Sequence, residues 1–231
     1  YTASSHIAED RFSCPRSTRQ GAFFMSRPLL QANRLSKSYG FREIFNNISF
    51  VLRERDKVAL VGPNGVGKST LLKILAGIES ATSGTVTLFD DTSSIGYVPQ
   101  DIDFDLTLTP WDVLTGEHNN LGCPSFSDVA EALSRFGFTD DDSDYLISNL
   151  SGGEKTRLAL ARVWVFHPDI LLLDEPTNYL DHDALDWLED FVRSYPGTVL
   201  VVSHDRYFLD RVVERVIELS PNQATEYRGN Y

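Results

Sequence analysis

Short apolar runs alternate with helical patterns along most of the chain. Residues 57–61, 170–173 and 198–202 are brief and mostly Val, Ile, Leu or Ala, which predicts strands buried on both faces of a parallel sheet. In 71–76, 155–166 and 184–195 the apolar positions recur at three- and four-residue spacing, which predicts helices. Leu158, Ala161 and Val165 share one face of the second of these, and Leu185, Leu188, Phe191 and Val192 one face of the third. Residues 29–35, 44–52 and 85–89 are β-compatible and set apart by turn residues such as Tyr39-Gly40 and Ser83-Gly84, and the first two predict an antiparallel hairpin. Helical stretches at 109–114 and 127–136, interrupted by Pro110, Gly122 and Pro124, predict a small helical subdomain over about 101–165. A helix at 207–211 and a last strand at 213–219 complete the pattern, with no closing element expected after them. Strands alternating with helices predict an α/β domain.

Composition narrows the class. The 231 residues leave room for one large domain with a sizeable core, and the apolar runs are far too short to cross a bilayer. A formal charge of −12 disfavours nonspecific adhesion to nucleic acid or to an anionic membrane. Cys14 and Cys123 are the only cysteines, which supplies neither a disulfide framework nor a zinc spacing and points to a reducing, cytoplasmic compartment. Residues 1–24 are polar and lack the apolar stretch of a signal peptide. They are expected to be a non-native or disordered extension ahead of Met25, with the domain spanning 25–231.

The chemistry concentrates after the first buried strand. Gly62-Pro63-Asn64-Gly65-Val66-Gly67-Lys68-Ser69-Thr70 fits G-x-x-x-x-G-K-[ST], with a strand before it and a helix after it. In that order the backbone N–H groups and the helix dipole converge on an anion. Lys68 is placed to reach the β- and γ-phosphates of a nucleotide, and the Ser69 hydroxyl to bind Mg²⁺.

Other candidates fall at strand ends. Asp174 and Glu175 close the run 170–173, Asp174 to hold Mg²⁺ and Glu175 to orient and deprotonate an attacking water. Gln100 follows a short strand at 95–98, and His204 follows 198–202, where an imidazole donates to a γ-phosphate. Tyr39, in the hairpin connection, offers a ring for stacking on a purine. Ser151-Gly152-Gly153-Glu154 reads as a capping box that opens a helix. Its two glycines also permit close approach of a second phosphate. The acidic run 140–144 lacks any cation-loop pattern and reads as a solvated loop.

Taken together these segments resemble an ABC-type ATPase domain, from about residue 29 to the end of the sequence. Gly62 to Thr70 is similar to the Walker A loop, Gln100 to the Q-loop and 150–154 to the signature motif. Residues 170–175 are similar to Walker B, Leu180-Asp181 to the D-loop, His204 to the switch histidine and Tyr39 to the adenine-stacking aromatic. The resemblance implies a P-loop NTPase core with an antiparallel β subdomain and a helical subdomain, ATP and Mg²⁺ as ligands, and Gln100 beside the metal. It also implies that each ATP lies between one Walker A loop and a partner's signature motif. Glu154 in the signature, Glu175-Pro176-Thr177-Asn178, Ser203-His204-Asp205-Arg206 and the final Arg228-Gly229-Asn230-Tyr231 resemble the ABC-F proteins more closely, although Tyr179 stands where a histidine is usual. That resemblance implies an ATPase with a second ABC domain, in a further half of the chain or a second copy, acting on the ribosome. A transporter's ATP-binding subunit, with a membrane partner near Gln100, is the alternative.

Overall fold

The computed structural model describes residues 26–116, 124–138, 145–178 and 180–229. The 1–24 extension with Met25, the acidic run 140–144, Cys123, Tyr179 and the terminal Asn230-Tyr231 lie outside them.

Two sheets form the scaffold. Strand β1 (Pro28–Tyr39) pairs antiparallel with β2 (Arg42–Arg53) on one side and with β4 (Ser83–Leu88) on the other. The second sheet runs in the order β5 (Ile95–Val98), β6 (Ile170–Asp174), β7 (Thr198–Val202), β3 (Lys57–Val61), β8 (Arg215–Ser220) and β9 (Gln223–Arg228). All of its pairs are parallel except β8 with β9. The helices are α1 (Lys68–Leu75), α2 (Pro110–Thr115), α3 (Phe126–Arg135), α4 (Gly152–Trp164), α5 (His182–Ser194) and α6 (Arg206–Val212).

The central strands are buried on both faces, as their unbroken apolar runs require. Successive residues split between two cores. Ala59, Leu171, Leu173, Val199 and Val201 face α3, α4, α5 and α6, while Val58, Leu60, Ile170, Leu172, Leu200 and Val202 face α1 and the three-stranded sheet. Each buried aliphatic side chain contributes about 1.5–3 kcal/mol, so a one-residue slip would exchange the two cores and is strongly opposed. Parallel pairing then brings the carboxyl ends of β3, β5, β6 and β7 to one edge.

Three expectations change. Strand β1 runs to Tyr39, which pairs with Arg42 across a turn of only Gly40 and Phe41, so Tyr39 is held by the sheet rather than sitting in a loose connection. The helix read from 155 begins at Gly152. Beyond β8 there is a closing element after all: β9 turns back at Pro221-Asn222 and pairs with β8 from Ser220↔Gln223 to Arg215↔Arg228. Its residues are mostly exposed and polar, so no apolar period announced it.

Lys57 opens β3 at the sheet's amino edge, 8% exposed, with Nζ donating to the carbonyls of Tyr195 at 2.8 Å and Gly197 at 2.6 Å. Burial pushes its ammonium down from 10.5 to about 8, against the pull of Glu214 and Asp56. Between those values the unfolded chain binds more protons than the folded one, so stability rises with pH across that window. Urea unfolding at pH 7.5 and 9.5 should show the parent gaining about 2 kcal/mol relative to Lys57→Met. Equal pH slopes for the two proteins would remove Lys57 as the cause.

Candidate functional site

Alpha-helices leave their first backbone N–H groups without partners, and most ends here are closed by a side chain. Thr109, Ser125, Ser151, Asp181 and Asp205 each accept from the third residue beyond, capping α2, α3, α4, α5 and α6. Helix α1 is the exception among the described α-helices: its N-cap is Gly67 and no side chain bonds its first turn. N–H groups so placed, on a helix entered from β3 through a glycine loop, are the donor arrangement, or cradle, that suits an anion.

The loop's geometry demands its glycines. Gly67 has φ 102°, and a Cβ there would lie 2.5 Å from Ile44 Cγ2 and 2.9 Å from Phe45 Cδ1. At Gly62, with φ 155°, it would meet the Leu219 carbonyl oxygen at 2.5 Å. Lys68 is nearly buried, with Nζ donating to the carbonyls of Gly62 at 2.9 Å and Pro63 at 3.3 Å. Val66 is buried and packs into the core beneath the loop.

An open cleft of about 660 Å³ lies over this loop. Of the residues predicted from sequence it gathers Tyr39, Asn64, Gly65, Gly67, Lys68, Ser69, Thr70, Gln100, Glu175 and His204. Gly62 lines a small adjoining hollow with Lys68 and His204. Arg42, Ile44, Asn178 and Val202 also line the cleft and were not singled out by sequence reasoning. Arg42 comes to the cleft through its pairing with Tyr39 across the hairpin, and Asn178 was marked only as part of the Glu175-Pro176-Thr177-Asn178 stretch.

Asp174 is 2% exposed at the end of β6. Ser69 Oγ donates to its Oδ1 at 3.1 Å and Tyr97 Oη to its Oδ2 at 3.2 Å. Burial pushes this carboxyl up, opposed by the Ser69 and Tyr97 hydrogen bonds and by Lys73 and Lys68. Burial and the Asp174 charge hold the Tyr97 phenol well above its ordinary range, which keeps it a donor. A hydroxyl and a buried carboxylate in contact, with the Gln100 amide in the same cleft, form an all-oxygen donor set that fits Mg²⁺. No cluster of three or more His, Cys, Asp or Glu suited to a metal occurs among the described residues.

Glu175 stands in the left-handed region at φ 51°, an uncommon conformation for a non-glycine residue. Its N–H donates to the Val202 carbonyl at 2.8 Å, and its carboxylate is engaged twice by His204. The His204 backbone N–H reaches Oε2 and its Nε2 reaches Oε1, both at 3.1 Å. The turn after Glu175 is tied to β7 by Thr177 and Ser203, whose hydroxyls lie 2.8 Å apart.

The remaining predicted residues stand elsewhere. Ser151 and Glu154 form the capping box, with the Glu154 carboxylate accepting from Ser151 N–H and Oγ, each at 2.7 Å. Gly152 lines a smaller cavity that adjoins the main cleft and shares Gln100, Glu175 and Asn178 with it. Gly153 packs near Leu180 and Ala184, and Asp181 accepts from the Ala184 N–H at 2.9 Å. Gly152 thus lies beside the cleft over the glycine loop without lining it.

Comparison with known proteins agrees with this geometry. Residues 45–178 match the ABC transporter family. The chain is 40% identical to YdiF of Bacillus subtilis, named as an ATP-binding protein, covering 88% of this chain and 38% of that one. It is 37% identical to the energy-dependent translational throttle protein EttA of Escherichia coli K12 (88% and 37%). With ABC transporter F family member 2 of Arabidopsis thaliana it shares 36% identity (89% and 30%). The chain thus spans less than half the length of these relatives. Among solved structures, a dimeric post-hydrolysis state of the ATP-binding cassette MJ0796 bound to ADP and Pi superposes with TM-score 0.73 at 25% identity, covering 87% of this chain and 98% of that one.

Because a Cβ at Gly67 meets both strain and a clash, Gly67→Ala should lower the melting temperature by several degrees, reflecting about 1–3 kcal/mol of backbone strain. It should also weaken triphosphate binding at least tenfold. Thermal unfolding and calorimetric titration check both effects, and unchanged binding would displace the cradle from Gly67.

Proposed function

The chain belongs to the ABC transporter family as an ATP-binding ABC domain, and on that premise we propose that it is one half of an ABC-F-type ATPase whose ATP-driven closure acts on the ribosome. The observation that carries the two-domain part is that Gly152 of the signature turn does not line the cleft that holds Lys68 and His204, although its own cavity shares Gln100, Glu175 and Asn178 with that cleft. A triphosphate on the α1 cradle leaves one side uncovered by this chain. A second ABC domain, in a continuation of the chain or in another copy, covers it with its own signature turn. The dimeric state of the cassette MJ0796 supports this reading. The ribosomal part is supported by the likeness to a protein named as a translational throttle and to an F family member.

In this reading Tyr39 stacks on the adenine, and the backbone of the 62–67 loop, Lys68 and Thr70 hold the phosphates. Ser69, Asp174 and Gln100 would hold Mg²⁺, which would offset the negative charge of the phosphates. Glu175 accepts the proton of the attacking water while the His204 backbone N–H fixes its carboxylate, and the His204 imidazole N–H donates to the γ-phosphate in place of its contact with Glu175. Asp181 and the Ser151-Gly152-Gly153-Glu154 turn face the partner domain's nucleotide. Among the described residues no helix is long and apolar enough to cross a membrane.

Lys68→Ala should weaken ATP binding, whereas Glu175→Gln should keep it and lower turnover by about 10²–10⁴-fold. Turnover at the parent rate in Glu175→Gln would end the general-base assignment. In sucrose-gradient sedimentation, the full-length protein carrying Glu175→Gln should travel with ribosomes when ATP is present and remain at the top without it. Sedimentation indifferent to nucleotide, or recovery only with a membrane fraction, would overturn the ribosomal reading.

A further inference from the structure

Tyr39 ends β1 and lines the cleft, yet 49% of it is exposed. An exposed ring that swings freely loses side-chain freedom when a base stacks on it. This ring is tied down on two sides. Its hydroxyl donates to the Glu79 carboxylate. Lys37, two residues earlier on the same face of β1, sends Nζ to Glu79 Oε1 at 2.8 Å and to the Ser80 carbonyl at 2.7 Å. The same ammonium sits 4.8 Å from the centre of the Tyr39 ring. Lys37 is nearly buried and does not line the cleft, so the ammonium backs one face of the ring and leaves the other for a ligand.

Glu79 is itself anchored to α1. After Gly77, in the left-handed region at φ 72°, the chain folds back so that the N–H groups of Ile78 and Glu79 both donate to the Lys73 carbonyl, at 2.9 and 3.2 Å. One helix therefore presents Lys68 and Ser69 at its amino end and, through the turn at its carboxyl end, the carboxylate that orients Tyr39. The Lys37 hydrogen bond, then that of Tyr39, holds the Glu79 carboxyl below its usual range. The Glu79 hydrogen bond in turn raises the Tyr39 phenol, which keeps it protonated and donating.

We propose that Lys37 and Glu79 are positioning residues that lock Tyr39 as a preorganised platform for the base of the nucleotide, set at a fixed distance from the phosphate cradle by α1. The proposal rests on the reading of Tyr39 as the adenine-stacking residue. The pair acts on the base end of the ligand alone and leaves recognition of the phosphate chain untouched.

The test compares Mg-ATP with Mg-tripolyphosphate, which carries the phosphates and no base, by calorimetric titration of the parent and four variants. Tyr39→Phe keeps the ring and the Lys37–Glu79 pair and removes the tether together with the hydroxyl's contact to Thr70, a contact that Glu79→Gln leaves in place. Tyr39→Phe should lower ATP affinity by about two- to tenfold with tripolyphosphate unchanged, the range expected for fixing one side chain on binding. Glu79→Gln and Lys37→Met should do the same, and Tyr39→Ala should lose more than any of them. If Tyr39→Ala lowers ATP affinity selectively while Tyr39→Phe and Glu79→Gln match the parent, the platform stands and the lock is refuted. If Tyr39→Ala leaves the ratio of the two affinities unchanged, the base does not stack there and both readings fall. A parallel loss of ATP and tripolyphosphate in Glu79→Gln would assign the pair to the cradle's own structure and refute the proposal.

Discussion

Backbone N–H groups at the start of a helix must find partners, and in this chain the first turn of α1 is the one α-helical start among the described residues that no side chain closes. Much else follows from that unmet requirement. A side-chain cap would compete for the same donors, so the position falls to Gly67, whose left-handed backbone and tight fit against Ile44 and Phe45 admit little else. The loop can be held in this shape because β3 is clamped between β7 and β8 and Val66 is buried beneath it. Lys68, Ser69 and Thr70, which open the helix, all line the cleft.

Parallel strand pairing supplies the second half of the site. Side chains distant in sequence arrive at one edge because β5, β6 and β7 end in step. Ser69 meets Asp174 across 105 positions of chain, and His204 meets Glu175 across 29. Glu175 has to take a left-handed backbone to turn its carboxylate toward His204, a local strain borne by the N–H bond to Val202 and the Thr177–Ser203 contact.

Much of this arrangement was legible in the residues. The apolar runs of β3, β6 and β7 marked the central strands, and Gly62 to Thr70 marked the loop, because burial on both faces and anion binding at a helix start leave strong local patterns. The Ser151–Glu154 cap was readable for the same reason. What escaped depends on juxtaposition. Arg42 and Val202 join the cleft only through strand pairing, and the backbone of Glu175 cannot be inferred from an acidic pair alone. Strand β9 escaped because half-exposed, polar edge strands carry no apolar period, and Tyr39 was read in a connection because a two-residue turn leaves so short a gap between long strands.

That inconspicuous strand has its own consequence. Without β9, the hydrogen-bonding edge of β8 would lie bare beside a core of Val, Ile and Leu strands, an inviting template for another molecule's β-structure. With it, the sheet ends in a six-residue strand bearing Gln223, Glu226 and Arg228, with Glu226 drawn into an ion pair with Arg215 at 3.3 Å. A charged, half-solvated border of this kind discourages further strands from adding on. It gives the domain a defence against aggregation at the flank of the sheet, so that association is left to surfaces with specific shape and chemistry.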